Sequence, residues 1–503
     1  MKDATQKLAL PALIALVVGS MVGAGVFSLP ATFGRATGGF GALLAWAIAG
    51  GGMLALAFVF QTLAVRKPEL DAGIYAYAKE GFGNYLGFIA ALGFWAGTCV
   101  GNVSYFILIK ATLGAFFPIF GDGNTLVAIL TASAILWAFH FLILNGVRQA
   151  AGINTMVTLA KLIPLGVFVI LLIGAFQSEM FSLNFWGVVP AVHPPADLAA
   201  MDYYGQVGHH ALELAEDLPR NESLFTQVRN TMLVTVFVFL GIEGASVYSR
   251  YAKNRKDVGT ATVLGFLGVL GLFVLVTMLS YGVLPRQELA ALRQPSMAGL
   301  LEAVAGRWGT VFISVGLLVS VLGAYLSWSL LAAEVLYSAA RNKTMPGFLA
   351  RENSHNVPSA ALWLTSGLIQ VFLIVTMFSQ YAFTLALELT SSLSLIPYLL
   401  VAGYGLKLVL QGDTYGGEES IRGKHLLIAA VATVYSIAML YAGGLKYLLL
   451  SALVFAPGTL LYVMARREQG GQAFNGFEKG LLAIVIIAAA AALYAIGSGR
   501  ITI

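Results

Sequence analysis

The residues whose types and spacing best suit chemistry lie inside an apolar run. Gly19-Ser20-Met21-Val22-Gly23-Ala24-Gly25-Val26-Phe27 interrupts a stretch otherwise long enough to cross a bilayer. A glycine costs roughly 1 kcal/mol against alanine in a helix interior, so glycines at 19, 23 and 25 predict a break. In hydrocarbon, unwound backbone persists only where protein or a wet cavity surrounds it. The freed peptide groups suit a small zwitterion. The N-terminus of the second half-helix would face a carboxylate, and carbonyls ending the first would face an ammonium. A second stretch, Gly241-Ile242-Glu243-Gly244-Ala245-Ser246-Val247, repeats the pattern in a later run. Either stretch alone reads equally as packing glycines of the small-xxx-small kind. Together, at corresponding positions, they favour two broken helices.

Ionisable side chains inside apolar runs cost roughly 2.5–3.5 kcal/mol at the bilayer centre on insertion scales, which marks them for function. Glu243 lies at the second break, where freed N–H groups can hold a carboxylate. Lys161 is read as either a buried ammonium or a lysine snorkelling to the nearby membrane edge. Lys110 is expected to snorkel at the end of its run. Glu334 and Glu388 lie within later runs, and Glu334 is assigned to an inner gate. Trp328 sits too deep for an interfacial belt. Asn102 has few polar neighbours in its run, so its amide is expected to bond a substrate or another helix.

These residues must be positioned by a polytopic membrane protein. The chain has 503 residues, 58% hydrophobic and 11% charged, with a net charge of +5; its mean hydropathy is +0.83. A soluble domain carries roughly 25% charge. No long polar segment accommodates a soluble catalytic domain, and the short polar Met1–Lys7 stretch has no cleavage signature after it. A lone cysteine, Cys99, excludes an internal disulfide. Runs of about 20 apolar residues give about thirteen candidate spans, near 9–33, 40–64, 83–116, 125–144, 152–176, 228–249, 259–284, 308–340, 359–378, 381–408, 426–443, 445–465 and 480–498. Loops after even-numbered spans are basic, as at Arg66, Lys67 and Lys79 or Arg341, Lys343 and Arg351. The long loop after the fifth is acidic, with Asp202, Glu213 and Glu216. The positive-inside rule places the N-terminus in the cytoplasm of a cell (inner or plasma) membrane. Because the breaks fall on the first and sixth spans, an odd offset, their helices run in opposite directions, which is a 5+5 inverted repeat. The division is 8–177 for the first repeat, 178–226 for an external loop, 227–411 for the second repeat and 412–503 for additional helices. Asp202–Leu218 is expected to form a short amphipathic helix within that loop. His209, His210 and Glu213 there are read as solvated, since adjacent histidines do not share a helix face. No metal, cofactor or nucleic-acid partner is expected.

The stretches Gly23-Ala24-Gly25-Val26-Phe27, Phe239-Leu240-Gly241-Ile242-Glu243-Gly244-Ala245 and Ala252-Lys253-Asn254-Arg255-Lys256-Asp257-Val258-Gly259 resemble the amino acid–polyamine–organocation transporter superfamily. Gly101-Asn102, Trp328 and Ser391-Ser392 before Pro397 match it too. Within it the likeness is to basic amino acid antiporters of the arginine/ornithine branch, over the first twelve spans. The resemblance implies a LeuT-type fold and alternating access. It implies that the break at Gly23–Gly25 binds the substrate carboxylate, although Ala24 stands where relatives often carry a serine hydroxyl. Carbonyls near Ser20, Met21, Val238 and Leu240 would meet the ammonium, and Phe237 or Phe239 would close the site. Trp328, Glu388 and the hydroxyls at 390–392, Ser391 among them, would sense a cationic side chain. Glu243 matches a glutamate that links helices and responds to pH. Lys161 matches a lysine that stands in for sodium.

The resulting expectation is a secondary transporter exchanging a cationic amino acid, arginine first, for ornithine or a related metabolite. A proton-coupled amino acid symporter is the alternative. A channel or receptor would show a polar stripe or filter repeat, and neither is found. An enzyme is not expected: the chain carries no G-x-x-x-x-G-K-[ST] loop and no H-E-x-x-H, and His140 has no acidic neighbour in sequence. Partners are a small-molecule substrate and the lipid bilayer, with self-association left open.

Overall fold

The computed structural model of the protein describes residues 9–70, 73–146, 150–187, 222–243, 253, 255–379 and 381–501. The expected helix at 202–218, His209 and His210, and residues 244–247 of the second break lie outside them. Among the described residues every regular element is a helix. Eight are long and apolar enough to cross a membrane, or up to ten if each of two bent pairs is one span.

The first bent pair is α1 (Leu10–Met21) and α2 (Leu29–Ala36), joined through a 3-10 turn at Gly25–Ser28 and bent by 44°. Then follow α3 (Gly39–Arg66), α4 (Ile74–Phe82), α5 (Asn84–Phe116), α6 (Leu126–Leu144) and α7 (Ala150–Ala175). The chain turns by 99° into α8 (Ser178–Phe185), so the segment expected as loop from 178 opens on a helix. Beyond come α9 (Leu224–Phe239), α10 (Arg255–Ser280), α11 (Arg286–Ala291) and α12 (Ser296–Arg341), the last turned at Gly306. They are followed by α13 (Ser359–Val375), α14 (Ala382–Gln411), α15 (Glu419–Glu468), turned at Gly444, and α16 (Gly476–Gly497). The short helices α4, α8 and α11, and the part of α12 before Gly306, fall between the apolar runs, where a hydropathy reading is blind.

Local chemistry explains several starts. Thr125 accepts from Ala128 N at 3.2 Å to cap α6, and Ser223 accepts from Thr226 N at 3.2 Å to cap α9. Asn475 and Glu478 form a reciprocal box at α16, with bonds of 2.8 and 2.9 Å. Glu478 Oε1 also accepts from Tyr85 N at 3.1 Å and Tyr462 Oη at 3.2 Å. One carboxylate thus ties the last helix to the start of α5.

The bundle is arranged around α5, whose apolar stretch is 89% buried, against 11% for α16. It packs closely on α14 through Gly93, Gly97 and Gly101, a small-residue ladder at every fourth position. A Cβ on Gly97 would lie 2.9 Å from Ser394 Oγ, and one on Gly93 would lie 2.9 Å from the Leu393 carbonyl. Overpacking of this kind typically costs about 1–3 kcal/mol. Gly97→Val is therefore expected to lower the melting temperature of the detergent-purified protein by several degrees; an unchanged melting curve would show that the two helices have slack.

Candidate substrate site

Helix α1 ends at Met21, residues 22–24 bend, and the chain rewinds from Gly25. Val22 N still donates to Val18 O at 2.9 Å, and Phe27 N donates to Ala24 O at 3.2 Å. Between them, the N–H groups of Gly23, Ala24 and Gly25 reach no described acceptor. Side chains are excluded here by contact. A Cβ on Gly25 would stand 2.5 Å from Val238 Cγ1, and one on Gly23 would stand 3.0 Å from Tyr105 Oη.

The carbonyl side of the break is held by Lys161. Its Nζ donates to Gly19 O at 2.5 Å and Val22 O at 2.9 Å, and the residue is 1% exposed. The ammonium stands at the C-terminal end of α1, where the helix dipole is negative and carbonyls are unpaired. Of the two readings of Lys161, the side chain is buried and does not snorkel to the membrane edge.

The second break begins where α9 stops at Phe239. Gly241 has φ 104, a left-handed conformation open to glycine and costly to other residues. Glu243 Oε2 accepts from Gly241 N at 3.2 Å and from Tyr398 Oη at 2.7 Å. The carboxylate thus closes its own turn and joins it to α14. Ser20 Oγ donates to Gly241 O at 2.9 Å, stitching one break to the other.

Where the breaks meet there is a cavity of about 30 Å³, room for a water or two. Its wall takes Ser20, Met21, Gly23, Ala24 and Gly25 from the first break and Phe237, Val238 and Leu240 from α9. Phe94, Thr98, Gly101, Asn102 and Tyr105 come from α5, Trp328 from α12, and Thr390 and Ser394 from α14. Asn102 Oδ1 and Thr390 Oγ1 are buried acceptors without a described partner. Among the described residues the wall carries no charged side chain, so a charge on a ligand would meet peptide dipoles, hydroxyls, an amide and aromatic faces there.

Most of the expected site residues line this wall: Met21, Gly23, Ala24, Gly25, Asn102, Phe237, Leu240 and Trp328. Of the two helix α9 phenylalanines, Phe237 reaches the cavity, while Phe239 packs against Trp46, Phe266 and Phe273. Glu388 and Ser391 lie elsewhere. Ser391 Oγ bonds Leu233 O at 2.7 Å and Leu387 O at 3.0 Å, and Glu388 turns toward Tyr447 and Lys446. On a helix, neighbours of Thr390 point some 100° away from it, so only one of the adjacent hydroxyls at 390–392 reaches the cavity. Lys110 does not snorkel. It is 2% exposed and donates to Thr376 Oγ1 at 3.0 Å. The turn at 118–125 folds back over it, for a Cβ on Gly123 would lie 3.0 Å from Lys110 Cβ.

Sequence reasoning missed Phe94, Thr98, Tyr105 and Ser394. For the first three a signal existed, since 94, 98, 101, 102 and 105 share one face of α5 at helical spacing.

Two further features bracket the cavity. Glu334, with Glu69, Tyr75, Lys79 and Arg341, lines a separate open vestibule of about 690 Å³. Across its rim, Lys79 Nζ donates to Asn342 O at 3.1 Å and Thr344 Oγ1 at 3.2 Å; burial, then the nearby Arg466, pushes this ammonium's pKa down. At the far end of the broken first helix, Arg35 Nε donates to Ala290 O at 2.7 Å, and Arg286 Nε donates to Gly34 O at 2.9 Å. Asn184 Oδ1 accepts from Arg286 N at 2.8 Å, and Tyr281 Oη donates to Thr37 O at 2.8 Å. These bonds fasten α2 to α11, and α11 to α8.

A multi-pass membrane protein whose described residues are helical, with a broken first helix beside the end of α9 around a central cavity, is built as a carrier of small solutes. The amino acid permease family model matches residues 8–459, and the chain belongs to that family, within the amino acid–polyamine–organocation superfamily. It is 50% identical to the arginine/ornithine antiporter of Pseudomonas aeruginosa across 100% of both chains. It is 41% identical to the L-lysine transport protein of Corynebacterium glutamicum over 98% of this chain and 95% of that one. It is 38% identical to the arginine/agmatine antiporter of Chlamydia pneumoniae over 98% of this chain and 97% of that one.

Lys161→Met would leave the Gly19 and Val22 carbonyls unpaired in a dry site, at about 1–3 kcal/mol for each. The expected result is a clear drop in thermal stability, read by fluorescence melting in detergent; an equally stable variant would mean that the break does not depend on the ammonium.

Proposed function

We propose that this protein exchanges arginine for ornithine across a cell membrane by alternating access. The observation that carries the reading is the interrupted first helix, joined through Ser20 to the turn at Gly241 that ends α9, leaving peptide N–H groups free beside a cavity with unpartnered acceptors. The α-carboxylate binds the N–H groups of Gly23, Ala24 and Gly25. The α-ammonium binds carbonyls near Ser20, Met21, Val238 and Leu240. The distal cation lies against the Trp328 face with Asn102 Oδ1 and Thr390 Oγ1 as acceptors. Neutral acceptors suit an exchanger of like-charged substrates, because neither substrate is held by a full countercharge that must be broken on release. The names of the relatives from Pseudomonas aeruginosa and Chlamydia pneumoniae support a cationic pair.

In this reading the chain has thirteen spans in a LeuT-type 5+5 arrangement, with its N-terminus in the cytoplasm. The basic rim at Lys79 and Arg341 then faces the cytoplasm, and Glu334 lies in the inner vestibule. The clamp at Arg35 and Arg286 closes the outer side. Ligand pockets run from about 300 Å³ upward, so the cavity must widen to admit an amino acid. Phe237 and Trp328 are the bulky wall residues that move. Glu243 couples the second break to α14 through Tyr398.

Proteoliposomes loaded with ornithine are expected to take up labelled arginine, and empty ones far less. Equal uptake would rule out obligate exchange. Trp328→Ala is expected to weaken arginine uptake about tenfold while sparing a small neutral amino acid; equal losses would separate Trp328 from side-chain recognition.

A proton-coupled symporter is the second reading, favoured by the burial of Lys161 without a described carboxylate beside it. A pH gradient alone would then drive uptake into empty vesicles, and Lys161→Ala would abolish that uptake.

A further inference from the structure

We propose that Ser296, the first residue of α12, is a positioning residue for the carboxylate site. Its hydroxyl sets how tightly the chain rewinds after the first break, and so where the N–H groups of Gly23–Gly25 point. The groups it holds are Phe27 O and Ala31 N, which lie four residues apart and would bond each other in a continuous α-helix. Here the hydroxyl bridges them, donating to Phe27 O at 3.3 Å and accepting from Ala31 N at 3.2 Å. Ser296 is fully buried. A side chain inserted into the i→i−4 ladder is a known cause of a bend. This one stands at the junction of two windings: Gly25–Ser28 is a 3-10 turn, and the α-helix begins only at Leu29. Within the turn, Phe27 N donates to Ala24 O at 3.2 Å and Ser28 Oγ donates to Gly25 O at 2.7 Å, both across three residues.

The winding matters because the unpaired N–H edge sits at the upstream end of that turn. A 3-10 helix has about 3.0 residues per turn and rises about 2.0 Å per residue, against about 3.6 and about 1.5 Å for an α-helix. Over the four residues Gly25–Ser28 the difference comes to roughly 80° of rotation and about 2 Å of length. A hydrogen bond weakens steeply once its donor angle falls below about 120°. A carboxylate therefore cannot follow such a rotation of its donors while the rest of the substrate stays in the cavity. The segment that supplies Ser296 also grips the far end of α2. Arg286 donates to Gly34 O at 2.9 Å and Arg35 O at 3.3 Å, and Arg35 donates in return to Ala290 O at 2.7 Å and Leu292 O at 3.3 Å. A Cβ on Gly34 would lie 2.9 Å from Leu289 Cβ. With α2 held at that end, loss of the Ser296 hydroxyl acts on the other side of the junction, toward the break.

The inference rests on the reading of the break as a carboxylate site, and its two measurements fail separately. Ser296→Ala removes the bridge and lets Ala31 N bond Phe27 O directly. In the structure of the purified full-length variant, determined by electron cryo-microscopy, Gly25–Ser28 is expected to wind as α-helix. A 3-10 turn unchanged from wild type would overturn the role of Ser296. Ser296→Thr keeps a hydroxyl and is expected to keep the 3-10 turn; if it rewinds as Ser296→Ala does, the role is overturned as well. Binding of arginine, and of agmatine, which is arginine without its carboxylate, is then measured on wild type and both variants. Ser296→Ala is expected to bind arginine at least about tenfold more weakly, the measure of a hydrogen bond to a charged group. Agmatine should stay within about twofold, which also shows the variant to be folded. A rewound turn with equal losses for the two ligands, or with no loss for either, would overturn the carboxylate reading of the break, while the winding role of Ser296 is already decided by the structures.

Discussion

Backbone hydrogen bonding in the absence of water is the constraint on which this structure depends. A span that unwinds in hydrocarbon exposes donors and acceptors that lipid cannot satisfy. Here several sets of exposed groups have a specific answer. Lys161 takes the carbonyls at the end of α1, Glu243 takes the amide at Gly241, and Ser20 joins the two breaks. Among the described residues of the first break, the N–H edge at Gly23–Gly25 remains unanswered. The protein itself supplies partners almost everywhere, so the remaining edge is the natural place for a ligand.

The polar core works only because the surrounding scaffold brings helices unusually close. The glycine ladder on α5 lets α14 approach within contact of its backbone. That approach sets Thr390 and Ser394 against the cavity and carries Tyr398 to Glu243. The same few helices therefore serve as wall and as coupling path. A change in the second break is felt by α14 through one short hydrogen bond rather than through diffuse packing.

The two ends of the bundle are built differently. Around α2, arginine and asparagine side chains bond backbone carbonyls of α2, α11 and the turn before α11, a set of directional contacts that ties that end together. The opposite end holds an open vestibule crossed by lysine and tyrosine contacts to the end of α12. A tied end and an open vestibule thus lie on either side of a small central cavity.

The apolar runs, their glycine interruptions and the inward charges were legible in the sequence, because the bilayer enforces length and apolarity on each span by itself. The breaks could be read for the same reason: glycine in a span disobeys a local rule. The sequence also determined that Lys161 and Glu243 would matter, since a charge in a span has to be answered somewhere. Only the tertiary structure decided what answers it. Lys110 turned inward under a loop, Glu388 faced Tyr447, and Tyr105 came to stand over Gly23. Those outcomes depend on the rotation of each helix about its own axis, which is set by packing against neighbours far away in the chain. A span's periodicity in a uniformly apolar run leaves that rotation undetermined.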